Sequence, residues 1–171
     1  MEPGRTGLDL GARQKRGAHT GPNPTDKGKS GSKRHVVVDA HGIPLAVTLT
    51  AANVHDSQEL EPALEAIEPI RRPHGRPRKR PGKLHADKAY DAKRCRLACR
   101  RRGIIPRIAR RGIASSTRLG RYRWVVERTQ AWYNRMRRLV IRYERRADIH
   151  EAFLHLGSAL ICWQFVQPMF C

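Results

Sequence analysis

The chain contains 171 residues, and its 35 Lys and Arg against 15 Asp and Glu give a formal net charge of +20. That length supports one domain with a hydrophobic core. The charge predicts a polyanionic partner, DNA or RNA, in preference to a membrane surface. No stretch approaches the roughly 20 apolar residues that span a bilayer, and the N-terminus has no apolar run typical of a secretory signal. We therefore expect a cytoplasmic protein whose four cysteines are ordinary thiols.

The first elements in chain order form a β-hairpin. Residues 1–33 are rich in Gly, Pro and basic residues and are expected to be a flexible segment. The β-branched run 34–39 and the run 43–50 are predicted to pair across a tight turn at residues 40–42, where Asp39 shapes the turn. We expect one domain over 34–166, followed by a short tail at 167–171.

A helix and a basic loop follow the hairpin. Asp56 or Ser57 can cap a helix whose apolar residues Leu60, Leu64 and Ile67 recur at helical spacing. Residues 71–83 combine basic side chains with three prolines and are expected to form an exposed loop. A solvated loop is one interpretation of this run, and contact with a phosphate backbone is the other.

The next segment predicts strand, helix, strand. Residues 83–87 form a short strand ending at Asp87, residues 91–103 a helix closed by Gly103, and residues 104–109 a strand near an edge. The order predicts an α/β fold, a mixed sheet flanked by helices with long basic loops. Because an isolated hairpin is marginally stable, we expect the hairpin to join the later strands in one sheet.

Two helices are expected to complete the chain. The first is a long helix over 122–146, and the second covers 148–166 with an apolar face. The apolar side chains of the second helix and all three tryptophans are predicted to be core residues; they are Leu154, Leu156, Leu160, Trp163, Trp124 and Trp132.

Asp87 is the first candidate functional residue. An Asp at the carboxyl end of a strand lies where an α/β sheet presents groups to ligands. The structural alternative is that it caps the following segment. Asp91, immediately before the helical run, is better placed for that capping role.

Glu127 is the second candidate, and it is the only acidic residue between Asp91 and Glu144. It lies at the margin of the apolar stripe of its helix, where it could converge on Asp87. The alternative is a solvated Glu that pairs with Arg123 or Arg128, an interaction of about 0.2–0.5 kcal/mol. Two carboxylates from a strand end and a helix can hold divalent ions for attack on a phosphodiester, and Mg²⁺ prefers such oxygen ligands.

Three motifs bring these residues into a known context. The segment from His19 to Ser57, the motif LHADKAYD and the motif RYRWVVERTQAWYNRMRRL resemble the DDE transposases of bacterial insertion sequences, of the insertion-sequence-five and insertion-sequence-four families. The resemblance covers residues 11–165. It implies an RNase-H-like fold and DNA strand cleavage and strand transfer with Mg²⁺ or Mn²⁺. It also implies DNA at the element ends and at the target, association with the nucleoid, and a homodimer on paired ends.

The resemblance assigns roles to individual residues. The second catalytic Asp of the family falls on Asp87 and the catalytic Glu on Glu127. The first catalytic Asp has Asp9 as its only nearby candidate, although the flanking sequence matches poorly. These three residues are the expected catalytic and metal-binding set. The expected DNA-binding residues are Arg71, Arg72, Arg76, Arg78, Lys79, Arg80, Lys88, Arg121, Arg123, Arg128 and Arg135.

The sequence leaves two functions open. The preferred one is a transposase catalytic domain, in an incomplete or frameshifted copy, since no helix-turn-helix region precedes the domain. The alternative is a catalytically inactive DNA-binding remnant. Both predict salt-sensitive binding, so the fate of a cleavable phosphodiester distinguishes them.

Overall fold

The computed structural model describes residues 17–24, 27–71, 73–110, 112 and 116–167, with the backbone alone for 116–123. Three strands form an antiparallel sheet in the order β1–β2–β3. They are β1 (Gly21–Pro22), β2 (Ser30–Val38) and β3 (Pro44–Ala51). The predicted hairpin is therefore confirmed, but β2 begins at Ser30, four residues before the expected start at Arg34.

Asp39 shapes the hairpin turn, as predicted. Its Oδ1 accepts the backbone N–H groups of His41 and Ile43, each at 2.8 Å. Gly42 has a φ of +87°, which a glycine adopts without steric cost.

A second, parallel ladder joins β4 (Lys83–Ala86) to β5 (Ile105–Ile108). Among the described residues the two ladders share no hydrogen-bonded strand pair, so the expectation of one continuous sheet is wrong for this part of the chain. Side-chain packing connects them instead. Val37 of β2 and Leu84 of β4 pack against the same buried cluster.

Helices α1 (Leu60–Glu65) and α2 (Lys93–Arg101) supply most of that cluster. Its buried members are Leu60, Leu64, Ile67, Cys95, Cys99, Ile104 and Ile108. The predicted helical placement is confirmed for Leu60 and Leu64, whereas Ile67 is buried beyond the end of α1. Gly103 follows α2 with a φ of +68°, the left-handed conformation expected after a helix C-terminus.

The capping residues differ from the prediction. His55 caps the 3-10 turn that precedes α1, its Nδ1 accepting the Ser57 N–H at 3.2 Å. The N-cap of α2 is Ala92, which makes no side-chain cap. Asp91 instead pairs with Arg96 at 2.7 Å.

The C-terminal helices are α3 (Ser116–Asn134), α4 (Arg137–Val140) and α5 (Ala147–Val166). They cover the opposite face of the hairpin through a second cluster, whose buried members are Val47, Leu49, Tyr133, Leu139, Leu154 and Ile161. The hairpin thus lies between two helical layers. Over the described residues, no helix is both long and apolar enough to cross a membrane.

The expected single helix over 122–146 is wrong, because the chain is extended at Met136 (φ −89°, ψ 105°). A side chain from β2 occupies the break. Arg34 donates to the Gln130 side chain at 2.6 Å and to the Leu139 backbone carbonyl at 3.2 Å. The Leu139 carbonyl lies in the last turn of α4, where a helix leaves its carbonyl groups without intrahelical donors.

Candidate functional site

Asp87 follows the last residue of β4, and its side chain is exposed. Its carboxylate accepts the Lys88 backbone N–H and so caps a 3-10 turn, Lys88–Tyr90. The structural alternative for this residue is thus realised. Capping does not exclude ligand binding, because one carboxylate has two oxygens and several acceptor positions.

A buried hydrogen-bond chain anchors this turn to the hairpin. The Tyr90 hydroxyl lies 3.2 Å from His35 Nδ1, and His35 Nε2 lies 2.8 Å from Thr50 Oγ1. Burial raises the pKa of Tyr90 and, as the main cause, lowers the pKa of His35. Both groups are therefore neutral around pH 7, and the turn after Asp87 is tied to β2 and β3 without a buried charge.

Glu127 is exposed on α3, and this helix contacts both β2 and β4. The two candidate carboxylates thus lie on elements that contact each other, α3 for Glu127 and the end of β4 for Asp87. Thr129 fixes this part of the helix, since its buried hydroxyl donates to the Gly42 carbonyl at 2.8 Å. The hairpin turn therefore sets the position of the α3 segment that carries Glu127.

Arg128, next to Glu127 in the chain, makes contacts within the protein through its side chain. Its guanidinium lies between two indole rings, 4.5 Å from the centroid of Trp124 and 4.9 Å from that of Trp132. It donates to the His41 carbonyl, and its buried Nε has no hydrogen-bond partner among the described residues. Stacking between aromatic rings holds the charge in a fixed place, so Arg128 ties α3 to the hairpin turn.

The expectation that all three tryptophans are core residues is wrong for two of them. Trp124 is 49% exposed and Trp163 is 57% exposed. Trp132 packs at the edge of the second cluster and makes an edge-to-face contact with Phe165 at 5.7 Å. Helical periodicity predicts which residues share a face, but it does not predict whether another element covers that face.

The donor set suits a hard divalent cation in its chemistry. Asp87 and Glu127 offer carboxylate oxygens at the surface, where a metal ion can keep part of its water shell. Asp9 lies outside the described residues. Within the residues that are described, no three His, Cys, Asp or Glu side chains cluster as a metal site.

The basic loop lies at the other end of β4. It leads into Lys83, whereas Asp87 follows the strand, and the chain from Lys83 to Asp87 spans about 13 Å at roughly 3.3 Å per residue. A bridge between Ile70 and Arg78 closes the loop, and Arg80 donates to the Arg102 carbonyl at 3.2 Å. The exposed Arg and Lys side chains of the loop are Arg71, Arg76, Arg78, Lys79 and Arg80.

Apart from Arg128, the remaining expected DNA-binding residues fall in three groups. Lys88 and Arg135 are exposed, and Lys88 lies directly after Asp87. Arg72 lies outside the described residues. Arg121 and Arg123 belong to the part of α3 for which only the backbone is described.

Sequence reasoning missed a basic surface on α2. Cys95, Ala98 and Cys99 are buried, and the opposite side exposes Lys93, Arg94, Arg100 and Arg101. The alternation of basic and small apolar residues in KRCRLACRR contained this signal. Burial raises the pKa of both thiols, Cys95 and Cys99, in agreement with the prediction of ordinary thiols.

A second missed feature is a polar cluster where the N-terminal segment meets the chain after α4. Arg142 donates to the Ala18 carbonyl at 2.8 Å and to Ser32 Oγ at 2.7 Å. His150 lies 3.2 Å from Glu144, and burial is the main cause that lowers the pKa of His150. A cavity of about 200 Å³ lies between these segments, and its lining includes neither candidate carboxylate.

Comparisons with known proteins find related sequences. A family model described as the transposase DDE domain matches residues 6–163. A Burkholderia cepacia protein named as a transposase for insertion sequence element IS402 is 58% identical over 148 residues, which cover 86% of this chain and 70% of that protein. No solved structure matches the chain.

Proposed function

The chain belongs to the DDE transposase family, and from that premise we propose that it cleaves and joins DNA strands using divalent ions bound by Asp87 and Glu127. The proposal rests on one observation above the others. Asp87 directly follows β4, Glu127 is exposed on α3, and β4 and α3 are in contact. Asp9, from the N-terminal segment, is the proposed third ligand.

The protein residues would bind and orient, and the ions would supply the activation. Bound Mg²⁺ or Mn²⁺ activates an attacking oxygen and stabilises the leaving oxygen of a phosphodiester. Asp87 would hold its ligand oxygen in a fixed direction, since the turn after it is anchored by Tyr90. Glu127 would do so from a helix whose position is fixed by Thr129.

Two basic surfaces would hold the DNA. Lys88 and Arg135 would contact the backbone near the carboxylates, together with Arg121 and Arg123. The loop at residues 71–80 would contact it at the other end of β4, about 13 Å away. Each phosphate contact releases counterions, so binding should weaken steeply as salt rises. On paired element ends, two copies of the chain would act together.

The test compares DNA cleavage with DNA binding in matched variants. Glu127→Gln and Asp87→Asn remove one charge each, and Asn retains the ability to cap the turn. Glu68→Gln, at another exposed Glu, is the control for the change of charge. Nicking of supercoiled plasmid in Mg²⁺ or Mn²⁺ and binding by fluorescence anisotropy are measured for each protein.

We expect nicking by the wild type and by Glu68→Gln, and a loss of at least a hundredfold for the other two variants with little change in binding. A wild-type protein that binds DNA and never nicks it, with either ion, contradicts the proposal and identifies the inactive DNA-binding alternative. Full activity of Glu127→Gln would remove this residue from the metal site.

A further inference from the structure

The outer face of α5 carries an apolar stripe with the spacing of a coiled-coil seam. Its six positions alternate by three and four residues, and all six are exposed. They are Ile149, Ala152, Leu156, Ala159, Trp163 and Val166. Leu156 and Trp163 are each 57% exposed. We refer to these six residues as the α5 seam.

The α5 seam is separate from the face that holds the helix on the protein. The opposite side of α5 buries His150, Leu154, Gly157 and Ile161 against the hairpin and α3. The prediction that Leu156, Leu160 and Trp163 are core residues is therefore wrong within this chain, whereas it is confirmed for Leu154. A heptad repeat directed at solvent is costly, because its apolar side chains stay in water. Contiguous exposed apolar surface of this kind usually marks an interface.

The charge distribution indicates which partner fits. Residues 147–171 contain no Lys or Arg, although the whole chain has 35 of them. The helix itself therefore offers no Lys or Arg to a polyanion. Two chains of formal charge +20 repel each other over most of their surfaces, and the α5 seam is a face on which they can meet without opposing basic side chains.

The order of side-chain sizes in the seam makes it complementary to itself. In an antiparallel pair of helices, residues whose numbers sum to 315 lie opposite each other. This register sets Trp163 against Ala152, Leu156 against Ala159 and Ile149 against Val166, so the two largest side chains each meet an alanine. A parallel pair would set Trp163 against Trp163 and Ala159 against Ala159, with crowding in one layer and a void in the other. The antiparallel pair also opposes the two helix dipoles favourably.

We propose that the protein is a two-fold symmetric dimer in which the α5 seams of two copies pack antiparallel. Symmetric pairing of one patch with itself is the commonest arrangement of homo-oligomers. The α5 seam would be the contact surface between the two copies that act together in the proposed function. It requires neither DNA nor metal, so its failure leaves the cleavage proposal standing, and loss of cleavage leaves the dimer standing.

Mass measurement of the whole chain is the first test. Light scattering after size exclusion, in 0.5 M salt without DNA, should give twice the chain mass of 19.5 kDa. Leu156→Glu should give the monomer mass. Val140→Glu, at a residue 58% exposed on α4, is the matched control and should remain dimeric. A monomeric wild type, a dimeric Leu156→Glu or a monomeric Val140→Glu would each overturn the proposal.

A disulfide test does not depend on disrupting the helix. Ile149→Cys and Val166→Cys are prepared separately, with Cys162 and Cys171 changed to Ser, and are then mixed and oxidised. Antiparallel packing sets these two positions opposite each other, whereas in a parallel pair they are about 25 Å apart, at 1.5 Å per residue. The mixture should form a disulfide dimer at least tenfold faster than either variant alone. Faster coupling in the single variants would overturn the antiparallel arrangement.

Discussion

Removal of one hydroxyl group should test whether the Tyr90 anchor sets the position of Asp87. Tyr90→Phe deletes the group that lies 3.2 Å from Nδ1 of the buried His35 in a partly buried site and leaves the ring in place. A neutral buried hydrogen bond contributes about 0.5–1.5 kcal/mol, and an unsatisfied buried partner costs about 1–3 kcal/mol. We expect a loss of about 1–2 kcal/mol in the free energy of unfolding, or about 2–8 °C in Tm for a chain of this size.

Thermal unfolding by circular dichroism measures the stability loss, and plasmid nicking measures its effect on the site. Tyr143→Phe is the matched control, because Tyr143 is 53% exposed and its change should shift Tm by less than about 1 °C. In a His35→Leu background the effect of Tyr90→Phe should shrink, since the partner nitrogen is absent. An unchanged Tm for Tyr90→Phe would refute the anchoring role. A lower Tm with unchanged nicking below the transition would restrict that role to stability.

Three further changes test other parts of the fold. Gly42→Ala should lower the free energy of unfolding, measured by denaturant titration, by about 1–3 kcal/mol, because φ is +87° and a Cβ would lie 2.9 Å from Thr129 Oγ1. Gly75→Ala, where φ is +90° and the space is open, measures the conformational part of that loss alone. Arg142→Lys should lower Tm by about 4–8 °C, since the ammonium group of Lys cannot replace the hydrogen bonds of the guanidinium to several acceptors. The control, Arg137→Lys at an exposed site, should leave Tm unchanged. Burial lowers the pKa of His150 below that of an unfolded histidine. The contribution of His150 to the free energy of unfolding is therefore complete above about pH 6.5 and is lost as the pH falls below that value. His150→Gln should flatten that part of the curve of unfolding free energy against pH.

The elements that local pattern alone determines were predictable. The hairpin, α1, β4, α2 and β5 follow from β-branched runs, helical spacing and a glycine after a helix. The break at Met136 was not predictable, because no Pro or Gly marks it. Arg34, about 100 positions earlier in the chain, occupies the break and donates to the Gln130 side chain on α3 and to the Leu139 carbonyl on α4.

The same distinction between local and distant causes applies to the candidate site. The positions of Asp87 at a strand end and of Glu127 at the margin of a helical stripe could be predicted, since both depend on short spacings in the sequence. The hydrogen bonds that anchor their segments could not be predicted, because Tyr90 meets His35 across 55 positions and Thr129 meets Gly42 across 87. Sequence thus predicted which carboxylates to consider, and the fold showed which uncharged groups hold their segments in place.

The face of α5 shows where periodicity has to be combined with charge. Periodicity alone predicted an apolar helix and therefore a core position for Leu156, Leu160 and Trp163. A helix of 20 residues that buries one side on its own chain can carry a second apolar side only if another surface covers it or if water solvates it at a cost. At about 25 cal/mol per Å² of apolar surface, covering two large exposed side chains per copy is worth several kcal/mol, enough to influence association. In a chain so rich in arginine, the absence of basic residues along this one helix is the feature that separates a protein-binding surface from a DNA-binding one.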